Sequence, residues 1–211
     1  MTLSRTLLVA ALGLSLAACD SATGPESESD AAPVLSNVAT DVITATYADL
    51  AAEAADLVTA VGAFADDRSA GRLEAARQQW RDTRAPWELS EGFLFGPVDT
   101  EGLDPSLDSW PVNRTDLDAV LASSSDLTPA TVAGLEATLR GFHTIEYLLF
   151  GEDGTKQAAD FTDREVQYLV SATAVLRDDA GTLATLWNPT GGGYALQIAN
   201  AGTSGSIYVS Q

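Results

Sequence analysis

The stretch LRGFHTIEYLLFG, Leu139 to Gly151, carries the only histidine of the chain, His143, and places Glu146 three residues later. Apolar residues dominate the rest of the stretch. At about 100° per residue, both polar side chains fall within the apolar stripe of one helix, one turn apart. A carboxylate that is buried without a partner is strongly destabilising. The pattern therefore predicts a partner, a metal ion or a solvated cavity next to His143 and Glu146.

Helical periodicity continues over the rest of the chain. Apolar residues three and four positions apart over residues 34–64 predict one long amphipathic helix, with Val34, Val38, Val42 and the apolar residues after them facing inward. Residues 70–95 predict a second helix, kinked at Pro86 because proline lacks the amide donor.

Two further helix starts carry capping residues. Thr128 and Pro129 form an N-cap followed by a proline, which predicts the start of the helix that carries the quoted stretch. Thr162 and Glu165 form a capping box that predicts the start of the last long helix. Residues 96–113 contain three prolines and two glycines, and they predict a long irregular loop. No strand pattern of comparable length occurs, so the fold class is all-α, a helical bundle.

The second helix offers partners for His143 and Glu146. On a helical wheel, one face carries Trp80, Arg84, Trp87 and Glu91, with Glu88 beside it. If this face meets the quoted stretch, the charged side chains form a buried polar cluster. Such a cluster is either a satisfied Arg–Glu–His network that fixes helix register or a site for a cation.

Charge limits the choice of partners. The formal net charge is −19, from 11 Lys and Arg against 30 Asp and Glu. This balance argues against nucleic acid and against docking on anionic lipid, since both attract basic surfaces. It is compatible with a protein that attracts cations, and equally with a protein that is merely soluble.

The N-terminus predicts export. An apolar run, Thr6 to Leu16, is too short for a stable membrane span and is followed by LAAC, which ends at Cys19. The pattern resembles the lipobox of bacterial lipoproteins; the alternative is an ordinary secretory signal cleaved near Ala18. We expect a signal peptide over 1–18, lipidation of Cys19 and a flexible acidic tether over 19–33. Cys19 is the only cysteine, so a metal site would use nitrogen and oxygen ligands.

Three segments, taken together, resemble one family. GFHTIEYLLFG resembles the Gly-x-His-x-x-Glu signature of the imelysin family, a peptidase-labelled group of bacterial envelope proteins. Residues 80–97 are similar to its first conserved block, and residues 107–113 to its Trp-Pro segment. The resemblance implies an all-α fold of two packed bundles, with the signature near their interface. Residues 34–211 would form the first bundle of an imelysin-like domain that is truncated at its C-terminus.

The resemblance also implies a site and a cellular role. Candidate metal ligands are His143, Glu146 and Glu91, and the residues expected to line the site are Arg84, Trp87, Glu88, Asp108, Trp110 and Gly141. Family members lie in the cell envelope, are often lipoproteins, and several are associated with iron uptake. The expected cofactor is a divalent or iron cation.

Three functions follow as hypotheses. The first is a lipid-anchored envelope protein that binds a cation, with iron expected, and works with other envelope proteins of iron uptake. The second is a metallopeptidase of the imelysin type, which leaves enzymatic activity open; the third is an inactive, truncated helical module. A single histidine favours binding or structure over hydrolysis, because metallopeptidase sites commonly use several strong ligands and a base.

Lipidation of Cys19 is directly testable. Metabolic labelling with a fatty-acid probe should tag the wild-type protein and leave Cys19→Ala untagged, because the thiol is the acylated group. Equal labelling of the two proteins, or an unlabelled wild type released in soluble form, would contradict the lipoprotein interpretation.

Overall fold

The computed structural model describes residues 31–211. The predicted signal peptide, the lipidation of Cys19 and the predicted tether up to residue 30 lie outside the described residues. Residues 32–211 form one compact unit. The first helix begins at Ala32, two residues before the predicted start of the domain.

Helices make up all the regular secondary structure of residues 31–211. The α-helices are α1 (Ala32–Asn37), α2 (Ala45–Asp66), α3 (Ala70–Leu89), α4 (Pro97–Thr100), α5 (Leu103–Asp108), α6 (Arg114–Ala122), α7 (Pro129–Ala133), α8 (Gly141–Phe150), α9 (Asp163–Trp187) and α10 (Tyr194–Ala199). Short 3₁₀ helices span Ser90–Phe93, Ala137–Leu139 and Ala158–Asp160. A π-helical segment, Val38–Thr44, joins α1 to α2. The prediction of an all-α fold is confirmed. Among the described residues, none of the helices is long and apolar enough to cross a membrane.

Three long helices, α2, α3 and α9, form the centre of the bundle, and α2 packs against the other two. The inner face of α2 carries Tyr47, Leu50, Ala54, Leu57, Val61 and Phe64, all of which are fully buried. Their spacing of three and four residues is the one that the sequence predicts for this helix. The shorter helix α8 packs against both α3 and α9, so the quoted stretch reaches the centre of the bundle.

Over residues 34–43, the side chains that face the core are not the ones that the sequence predicts. Val34, Val38 and Val42 are 63%, 39% and 47% exposed, whereas Ala39 and Ile43 are buried. Two adjacent apolar lines run along this segment, and periodicity alone does not distinguish them. The π-helical hydrogen bonding of residues 38–44 changes the number of residues per turn and turns the second line inward.

The helix of the quoted stretch begins later than predicted. Thr128 does cap a helix, but this helix, α7, ends at Ala133, and α8 begins at Gly141. The backbone of Arg140 is extended and Gly141 has a positive φ of 80°, so α7 cannot continue into α8.

Other boundaries fall closer to expectation. The capping box of Thr162 and Glu165 is present at the start of α9. Helix α3 continues through Pro86 to Leu89. Residues 96–113 are less irregular than predicted, because they contain the short helices α4 and α5.

Truncation of a central leucine should reveal how much the bundle depends on α2. Leu57→Ala should lower the free energy of unfolding by about 2–5 kcal/mol, because it leaves a cavity at a fully buried position. Leu89→Ala removes the same atoms where the side chain is 71% exposed, and it should change stability by no more than about 0.5 kcal/mol. Urea unfolding measures both; equal effects would contradict the packing described.

Candidate functional site

One largely buried carboxylate, that of Asp108, joins three helices. Asp108 is the last residue of α5, and its side chain is 13% exposed. Arg84 of α3 donates to Oδ1, and the Trp87 indole donates to Oδ2 at 2.8 Å. His143 of α8 places Nε2 3.2 Å from Oδ1. We call Arg84, Trp87, Asp108, His143 and Glu146 the Asp108 cluster.

His143 lies between two carboxylates. Its Nδ1 is within hydrogen-bond distance of Glu146 Oε2, at 3.1 Å, while Nε2 faces Asp108. The His143 side chain is 21% exposed and that of Glu146 is 42% exposed. The Nδ1 edge of the imidazole therefore faces the more open side of the cluster, and the Nε2 edge faces its interior.

Arg84 keeps a positive charge in the cluster. Its guanidinium contacts Asp108 and also Glu88, whose Oε1 lies 2.5 Å from Nε, and it lies 5.1 Å from the centre of the Phe142 ring. Burial disfavours the charged form, but the hydrogen bonds and charges of Asp108 and Glu88 outweigh it and raise the pKa of Arg84 above its ordinary value. The positive charge of Arg84 on α3 thus offsets the negative charge of the Asp108 carboxylate.

Gly141 sets the approach of α8 to α5. A Cβ at this position would overlap the backbone of Ser106 and Leu107, and the φ of 80° is unfavourable for any other residue. The contact brings the start of α8 against the end of α5. Asp108 follows Leu107 directly, and His143 lies two residues after Gly141. The close backbone contact therefore brings these two side chains near each other.

Two more hydrogen bonds hold this arrangement. The Trp80 indole donates to the carbonyl of Phe142 at 3.1 Å, which ties α3 to α8. Ser106 donates to Asp179, which ties α5 to α9. Burial raises the pKa of the Asp179 carboxyl above its ordinary value, although Ser106 and Arg140 act in the opposite direction.

The residues expected to line the site occupy this region. Arg84, Trp87, Glu88, Asp108, Trp110 and Gly141 all contact the cluster or position it. Glu91 is exposed, and over residues 31–211 no hydrogen bond or ion pair joins it to the cluster. The reason is that α3 ends at Leu89, and Glu91 lies in a 3₁₀ turn that no longer follows the helical wheel.

Asp108 lies at the centre of the cluster, whereas the sequence predicts it only as a lining residue. Within residues 31–211, no group of three or more His, Cys, Asp or Glu side chains is arranged to hold a metal ion. His143 and Glu146 form an imidazole–carboxylate pair on the more exposed side of the cluster. Because two such side chains are fewer than a metal site usually has, their role as ligands stays a prediction.

Comparison with known proteins matches most of this chain to one protein family. Residues 43–209 match the model of the Imelysin peptidase family. The chain belongs to the imelysin family. The match includes every residue of the Asp108 cluster, so the cluster is part of the imelysin domain itself.

One curated relative and one solved structure that this chain resembles are named as iron-regulated proteins. Iron-regulated protein A of Synechococcus elongatus is 35% identical over 169 residues, which cover 79% of this chain and 44% of that protein. A crystal structure assigned as an iron-regulated protein A precursor, from Parabacteroides distasonis, has a TM-score of 0.77 and 28% identity and covers 88% of this chain and 54% of its own.

An imelysin-like protein from Psychrobacter arcticum shares the fold, with a TM-score of 0.67 at 21% identity, over 79% of this chain and 51% of that one. The imelysin chain described here therefore spans about half the length of these relatives.

The contact at Gly141 can be tested against a matched glycine. Gly141→Ala should lower the free energy of unfolding by at least about 3 kcal/mol. The positive φ alone costs about 1–3 kcal/mol, and the overlap of the new Cβ with the α5 backbone adds to it. Gly62→Ala, inside α2 with open space around the added Cβ, should stabilise it by about 0.5–1 kcal/mol. Urea unfolding gives both values. A Gly141→Ala variant as stable as wild type would show that α8 does not pack against the backbone of α5.

Proposed function

We propose that this chain is the cation-binding part of an iron-regulated envelope protein, with His143 and Glu146 as the protein ligands. The chain is an imelysin-like protein whose relatives include Iron-regulated protein A. Iron is therefore the cation that we propose first, because these relatives are named for regulation by iron. Anchoring through Cys19 and cooperation with other envelope proteins of iron uptake belong to the same proposal.

The observation that carries the proposal is the placement of His143 between two unequal carboxylates. Asp108 is largely buried and its charge is offset by Arg84. Glu146 is partly exposed, and within residues 31–211 its ion-pair contact is with the imidazole. Histidines that bind metals usually direct their second ring nitrogen toward a carboxylate, which orients the ring and makes it a better ligand. Asp108 is in place for that role, and Glu146 is in place to bind beside Nδ1.

The donor chemistry also fits. Imidazole with carboxylate suits iron and zinc better than it suits calcium or magnesium, which take oxygen ligands. The 3.1 Å between Nδ1 and Oε2 is a separation that two ligands of one ion, each about 2.0–2.2 Å from it, can adopt. Two protein donors leave room for water or for donors outside the described residues, so we expect modest affinity. A bound ion would supply positive charge at the Glu146 edge of the cluster.

Titration calorimetry tests the ligand assignment. His143→Ala and Glu146→Gln should each weaken binding of Fe²⁺ (under anaerobic conditions) and of Zn²⁺ by about tenfold or more, and Asp108→Asn by about 10–100-fold, because its carboxylate orients the ring.

Glu91→Gln is the matched control, because Glu91 is an exposed glutamate of the same region that lies outside the cluster. It should bind as wild type does. Equal binding by His143→Ala and wild type would show that cations associate with the acidic surface instead, and the proposal would fail.

A further inference from the structure

Trp110 is an unusual tryptophan in this chain. Trp87 and Trp187 are fully buried and Trp80 donates a hydrogen bond to α8, whereas Trp110 is 70% exposed. Within residues 31–211 its indole makes no hydrogen bond. Its one ring contact there is with His143, with 4.7 Å between the ring centres and 59° between the ring planes. An exposed indole gains little from burial, so packing of the core does not explain this side chain.

The contact of Trp110 with the imidazole is separate from the contacts of the two carboxylates. Glu146 and Asp108 approach the ring nitrogens at the two edges of His143. Trp110 instead lies against the ring, two residues beyond Asp108 in the chain. The segment that supplies the carboxylate for Nε2 therefore also supplies the indole that contacts the ring.

From this geometry we infer that Trp110 is a positioning residue, which holds the His143 imidazole in its cation-binding orientation and shields it from water; the inference rests on the proposed function. A ring held in advance loses less rotational freedom when it binds an ion. Removing water from one side also strengthens the attraction between an ion and the nearby carboxylates, because the local dielectric constant falls.

The single histidine allows a test that needs no metal. Diethylpyrocarbonate acylates unprotonated imidazole, and the absorbance change at the histidine wavelength reports on His143 alone, since the chain has one histidine. Trp110→Ala should accelerate this reaction by about three- to tenfold, and Trp110→Phe should restore a slow rate because it keeps an aromatic ring at the same place. Thermal melting should be unchanged in both variants.

Binding of Co²⁺, followed by its visible absorption, provides the second readout. Trp110→Ala should bind Co²⁺ about three- to tenfold more weakly than wild type, and Trp110→Phe should bind nearly as well. Phe95→Ala is the control, because Phe95 is also a partly exposed aromatic residue but packs on Trp187. It should change neither the acylation rate nor the affinity.

The two readouts separate this inference from the proposed function. An unchanged acylation rate in Trp110→Ala, or a Trp110→Phe variant as reactive as Trp110→Ala, would overturn the role of the indole. Failure of the wild-type protein to bind Co²⁺ would count against the proposed function, while the acylation rates would still decide whether Trp110 holds and shields His143.

Discussion

The buried carboxylate of Asp108 is the constraint on which the site depends. Its side chain is 13% exposed, and a carboxylate in that position must be compensated by charge and by hydrogen bonds. Arg84 and Trp87 of α3 provide this compensation, while His143 approaches from α8. Removing one partner of such a buried pair typically costs about 3–5 kcal/mol. Asp108 of α5 therefore strengthens the direct contact between α3 and α8, which the Trp80–Phe142 hydrogen bond also holds.

Much of the fold was predictable because it follows from local rules. The buried face of α2 follows from helical periodicity, and the start of α9 follows from the capping box of Thr162 and Glu165. The later start of α8 was not predictable from periodicity, because Val132 and Leu139 continue the apolar pattern across a break. The break comes from a tertiary contact, the backbone of α5 against Gly141, which a helical wheel does not contain.

The site was predictable where it lies on one regular helix. Arg84 and Trp87 share a face of α3, as the helical wheel predicts, and both side chains contact Asp108. Glu91 was placed on the same face only by extending the wheel past Leu89, where the helix ends. Asp108 lies in a short helix within a proline-rich segment that has no periodicity to orient it. Its inward direction depends on the contacts of α5, so the sequence pattern offered no way to recognise it as the centre of the cluster.

Charge and geometry would contribute differently to the cation binding proposed above. The net charge of −19 attracts every cation, but at physiological ionic strength exposed charges are screened beyond about 8 Å, so it cannot distinguish one metal from another. Within the cluster, Arg84 offsets Asp108 and contacts Glu88, which leaves Glu146 as the carboxylate next to the imidazole. Calcium and magnesium gain little from a nitrogen ligand, whereas iron and zinc bind imidazole well. Any preference for those metals must therefore arise at His143, which is the only imidazole in the chain. The strength of that preference depends on how firmly the imidazole ring is held.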